Sequence, residues 1–219
     1  MDVSKLIYEI IEGVSAVSDD RFVDERLVMH KIGTARAEIY RKLMAKRPGY
    51  PTQGIEQDFA LDVVPTTRSL HPGITLNCKI LRSTVPVPKL IYEQELTNYY
   101  RIRTADIICN TIEVINPQRA NSVVFEFPAV YSFLDSGYYA YFLVPKNEMS
   151  LSYAVLTGVF EDPYSVDPEL TDYPIKASEW ESIKPKIIAE ILREPQEDPL
   201  NNSEPDYGKQ QQQQRQRTK

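Results

Sequence analysis

Glycine is scarce in this chain. Eight are scattered over 219 residues, and neither a G-x-x-x-x-G-K-[ST] nor a G-x-G-x-x-G string occurs. A phosphate-cradling loop needs clustered glycines so that backbone amides can approach the ligand, so that class of nucleotide site is excluded. Histidine and cysteine are scarcer still. His30 and His71 lie apart, and Cys78 and Cys109 form no C-x-x-C, so metal-ligand spacing is missing. His71 before Pro72-Gly73 reads as a turn histidine near a core cysteine, and the two thiols as reduced core residues. No G-x-S-x-G elbow is present, and a Cys109–His30 pair would need a tertiary coincidence. No apolar run reaches the ~20 residues of a membrane span. The opening "MDVSKLIYEIIEG" lacks the basic and small-residue signature of a signal peptide and reads as a helix. Glu161, Asp162, Asp167, Glu169 and Asp172 lack the glycine turn and alternating ligands of a calcium loop, so they read as a solvated acidic loop. The expectation is no cofactor, no metal, no membrane anchor and no enzymatic activity.

What is present is an ordinary globular composition, 42% hydrophobic and 26% charged, with length enough to bury a core. The net charge of −6 argues against a general nucleic-acid-binding surface. It is unevenly spread. Lys209, Arg215, Arg217 and Lys219 give the last eleven residues +4 with no acid, so the rest of the chain carries −10.

The periodicity divides the chain into four parts. Residues 1–50 read as a helical hairpin. Leu6, Ile7, Ile10, Ile11 and Val14 predict a first helix ending near Gly13, and a long helix of about 28 residues is expected from an Ser18 N-cap to Pro48-Gly49. Its stripe of Val28, Ile32, Ala35, Ile39 and Leu43 faces a core, while Phe22, Val23 and Tyr40 suggest a second apolar contact. Residues 51–163 alternate with period two and predict a central antiparallel β domain. "ITLNCKILR", "SVVFEF" and "YYAYFLVP" are its strands, with "LSYAVLTGVF" as the return arm of a hairpin after "KNEMS". In "VPVPKL", Pro86 and Pro88 cannot donate to a ladder, which predicts an edge strand, a connector or an arm along another surface. Residues 164–195 hold the acidic loop and a helix over about 183–193, with Ser182 capping and Pro185 in the first turn. Residues 196–219 are Pro- and Gln-rich and form an extended tail. The fold class is α+β.

Several stretches then resemble virion structural proteins of crAss-like short-tailed phages of Bacteroidetes. They are "GVFEDP" at Gly158–Pro163, "DYPIKASEWESIKPKIIAEIL" at Asp172–Leu192, "SDDRFVDERLVMHKIGTARAEIYRKLM" and "LNCKILRSTVPVPKLIY". The resemblance implies a ring-forming head-to-tail connector that joins portal and tail around the DNA exit channel. It implies a homo-oligomer of typically twelve copies, with the portal and other tail and ring proteins as partners and DNA passing without specific binding. Other virion roles stay open on the residues alone, among them head completion, tail or minor capsid. So does a DNA-contacting packaging protein using the basic tail. Lys209, Gln212, Arg215 and Arg217 of the tail, with Pro86 and Pro88, are the candidate interface residues.

Overall fold

Seven strands cannot alternate in direction all the way round a closed ring, because an odd count forces at least one neighbouring pair to run parallel. The computed structural model describes residues 1–18, 23–47, 49–66, 78–91, 100–105, 110–115, 130–146 and 151–194. Its strands are β1 (Gln57–Pro65), β2 (Cys78–Ser83), β3 (Tyr100–Thr104), β4 (Thr111–Val114), β5 (Tyr131–Leu134), β6 (Ala140–Pro145) and β7 (Tyr153–Gly158). They close a barrel in the order β1-β2-β6-β5-β4-β3-β7. The parallel pair is β4 with β5, and every other pairing is antiparallel. A parallel step needs a connection of a dozen or more residues, and the sequence separation between Val114 and Tyr131 meets that need. The β domain is therefore mixed rather than wholly antiparallel.

The expected hairpin of β6 with β7 does not form. β6 lies between β2 and β5, while β7 crosses to pair with β1 and β3. "SVVFEF" falls outside the described residues, as do Ile74 and Leu76 of "ITLNCKILR", together with His71 and Cys109. Leu61, Val63, Leu81, Ile102, Phe142 and Leu156 fill the barrel. Its interior is a packed core and not a pore. The β2-β6-β5 wall is apolar outside as well, where Cys78, Ile80, Tyr131, Phe133, Tyr141 and Leu143 are buried together.

Three helices share a second core with Tyr50, Ile55, Val159 and Tyr173. They are α1 (Val3–Ser15), α2 (Glu25–Lys46) and α3 (Ala177–Arg193). The long helix starts later than expected and has 22 residues. Asp24, not Ser18, is the N-cap, its Oδ1 accepting from the Arg26 amide at 3.0 Å. Val23 and Val28, at N′ and N4, share the helical core and fix the angle of entry. Ser18 instead closes the turn after α1, donating its amide to the Val14 carbonyl at 3.0 Å. Gly13 does not end α1. It lets α3 approach, for a Cβ there would stand 2.5 Å from Ile188 Cδ1.

α3 starts six residues before the expected 183, leaving Pro185 in its interior. The missing amide costs about 3 kcal/mol. Trp180, Ile183, Ile187 and Ile191 form one stripe, each at most 2% exposed. At ~1.5–3 kcal/mol per large side chain, extending the helix to bury Trp180 and Ile183 outweighs that cost.

Candidate functional site

The two core systems meet at "GVFEDP". Beyond β7, Val159 enters the helical core and Phe160 the barrel core, as alternating side chains of an extended segment must. The same segment pairs with the end of the proline connector. Leu90 bridges Phe160, the Ile91 amide donates to the Val159 carbonyl at 2.9 Å, and the Glu161 amide to the Lys89 carbonyl at 2.8 Å. Gly158 is required by this approach: a Cβ would lie 2.7 Å from Leu90 Cδ2 and 3.2 Å from Tyr100 Cβ.

Arg36 of α2 reaches into this seam with no exposed surface. Its Nη1 donates to the Phe160 carbonyl and its Nε to the Pro174 carbonyl, each at 2.8 Å. The guanidinium carbon lies 5.4 Å from the Tyr40 ring centroid and 5.7 Å from that of Tyr173. Burial draws the pKa of Arg36 down from its ordinary value, and Tyr173, Tyr40 and Asp162 draw it back. Burial also pushes the Tyr173 hydroxyl up to about 12. Arg36 thus binds a helix, a strand end and a loop into one body. Sequence reading missed it, although Arg36 and Tyr40 stand i, i+4 on a helix, the spacing that brings side chains together.

The acids of the loop are largely spent on structure. Asp162 caps a 3-10 turn at Pro163–Ser165, accepting from the Tyr164 amide at 3.0 Å. Asp167 accepts from the Glu169 amide at 3.1 Å. Glu161 pairs with Arg41 at 3.1 Å and Lys89 at 3.0 Å. Between α2 and this loop runs an open groove of about 570 Å³, with Met29, Ala37, Tyr164 and Tyr173 on its walls and Glu38 and Asp162 along its rim.

The proline connector is docked on its own barrel. Val87 and Leu90 are buried in the barrel core, while Pro86 is exposed and Pro88 half-buried. The Val87 amide donates at 2.8 Å to the carbonyl of Tyr138. Tyr138 holds φ +62°, a left-handed conformation that costs a non-glycine residue on the order of 1 kcal/mol. In a closed barrel the connector is not an edge strand. Lys209, Gln212, Arg215 and Arg217 lie outside the described residues.

Five large apolar side chains stand exposed among the described residues. Tyr8 and Val17 belong to α1 and the turn after it. Val64, Val85 and Tyr153 gather at one end of the barrel, where Val64 faces Arg82 and Asp62 faces Tyr153 across the ladder. The Thr84 amide there donates to the Asp62 carbonyl at 2.9 Å. Toward the opposite end of β1 a polar face carries Arg101–Glu56 and Arg103–Asp58 pairs, each at 2.7 Å. Among the described residues, no group of three His, Cys, Asp or Glu converges as a metal site, and no helix is long and apolar enough to cross a membrane.

Among known protein families, the one described as phage tail ring protein 2, of crAss-like phages, matches residues 5–211. A search of curated proteins returns no match.

Proposed function

The chain belongs to the crAss-like phage tail ring protein 2 family, a family of structural virion proteins, and from that premise we propose a head-to-tail connector subunit. It joins portal and tail around the DNA exit channel as a closed homo-oligomeric ring of twelve copies. The match over nearly the whole chain carries this reading. The packed barrel supports it: Leu61, Ile102, Phe142 and Leu156 have no exposed surface, so a duplex has to pass between copies rather than through one.

A closed ring repeats one heterologous contact, which needs two unlike faces on each subunit. The exposed Tyr8 of α1 and the exposed Val64, Val85 and Tyr153 at one end of the barrel are the candidates for those two faces. Pro86 stands next to Val85 and belongs to the second face in this reading, with half-buried Pro88 behind it. The tail from residue 196, with Lys209, Gln212, Arg215 and Arg217, is the arm that crosses to a neighbour. The body, residues 1–195 at −6, leaves DNA free to slide. Native mass spectrometry of the protein, alone and mixed with portal protein, tests the proposal. A twelvefold species on the portal is expected.

A further inference from the structure

The groove beside α2 has the chemistry of a receptor for the basic end of the chain. It is lined by Met29, Ala37, Tyr164 and Tyr173, by the carboxylates of Glu38, Glu161 and Asp162, and by the guanidinium of Arg41. Glu161, at the same edge, is already held by Arg41 and Lys89. Glu38 contacts Lys42 on the exposed side of α2, and Asp162 has no ion pair among the described residues. Apolar walls accept the methylene stems of Gln, Lys and Arg, and a carboxylate rim accepts guanidinium groups.

Dimensions agree with this. The groove follows α2 from His30 to Arg41, about 16 Å at 1.5 Å per residue, which matches about five residues of extended chain. In an extended Gln213–Arg217, Arg215 and Arg217 fall on the same side.

We propose that the Lys209–Lys219 segment of one copy lies in the α2 groove of a neighbouring copy, with Arg215 and Arg217 on Asp162 and Glu38. The inference rests on the ring reading and names the receptor for its arm. Delivery to a neighbour rather than to the same copy is favoured by the length and proline content of the intervening residues 195–208. Pro195, Pro199 and Pro205 stiffen the spacer. It spans up to roughly 50 Å when extended, far more than its own groove would need. That groove starts close to the end of α3, where Lys31, adjacent to groove-lining His30, pairs with Glu194.

The test uses the full chain carrying a photo-crosslinking amino acid at Gln213, mixed with isotopically heavy wild-type copies and irradiated under assembling conditions. Crosslinks from light Gln213 to heavy peptides containing Met29, Ala37 or Tyr164 are expected. The exposed E38R substitution lowers them about fivefold to tenfold, and pairing E38R with R215E restores them. Crosslinks confined to one copy or to another surface, or indifference to E38R, overturn the proposal. Native mass in the same sample separates the two failures: an assembled ring crosslinked elsewhere refutes only the arm's seat, and no assembly refutes the ring itself.

Discussion

The Phe160 carbonyl accepts a hydrogen bond from Arg36 Nη1 at 2.8 Å, while the Phe160 ring is sealed in the barrel core. One residue of "GVFEDP" therefore belongs to both halves of the molecule, and a buried cation holds it there. Arg36→Ala strands the Phe160 and Pro174 carbonyls and opens a cavity between two tyrosines. A loss of about 3–5 kcal/mol is expected in chemical denaturation. Arg36→Met keeps most of the volume and removes the buried charge, so its loss is smaller.

Two glycines should respond differently to alanine. At Gly158 the added Cβ meets Leu90 and Tyr100 in the seam, and overpacking there costs about 1–3 kcal/mol. At Gly13 it meets the end of the half-buried Ile188 side chain, a flexible tip that shifts more cheaply than backbone, and helix propensity repays up to about 1 kcal/mol. Paired thermal melts of Gly158→Ala and Gly13→Ala check the order.

Trp180 Nε1 donates to Glu9 Oε2 at 2.9 Å, and Lys184 reaches the same oxygen at 3.1 Å. The Trp180 bond is the main cause that holds the Glu9 pKa below its ordinary value, with Lys184 adding to it. The folded pKa therefore lies below the unfolded value of about 4.3. The stabilisation is present above that pH and is lost as pH falls through the folded pKa. Glu9→Gln should be less stable than wild type at neutral pH, and the gap should close below about pH 4. Denaturation followed by Trp180 fluorescence at several pH values measures this.

Val64 and Tyr153 are exposed on the barrel end assigned to a subunit contact. Val64→Asp and Tyr153→Asp should leave the melting temperature within a few degrees of wild type, since neither side chain is in a core. Assembly should fall by at least about tenfold in affinity if this face is buried between copies. Sedimentation velocity across a concentration series separates the two effects.

Periodicity located α1, α2, β2 and β7, and aromatic and β-branched content located β6, which is buried on both faces. What it mislaid was decided by distant partners. Pro185 belonged in the first turn of a helix until Trp180 and Ile183 found the helical core and moved that helix's start back to Ala177. Gly13 looked like a stop because Ile188 lies far along the chain. The β6–β7 hairpin was the local choice, yet closing a seven-stranded ring takes β7 to β1 and β3. Arg36 is marked in the sequence only by its i, i+4 spacing to Tyr40, since its acceptors are backbone carbonyls that any residue supplies. The groove was invisible for the same reason: its two walls come from α2 and from a loop more than a hundred residues later.

The mass of the assembled species tests the central claim most directly. Full-length protein mixed with portal protein is expected to give, by native mass spectrometry, a closed complex with twelve copies of this chain. A chain that stays monomeric in that mixture and binds DNA with a steep salt dependence would contradict it.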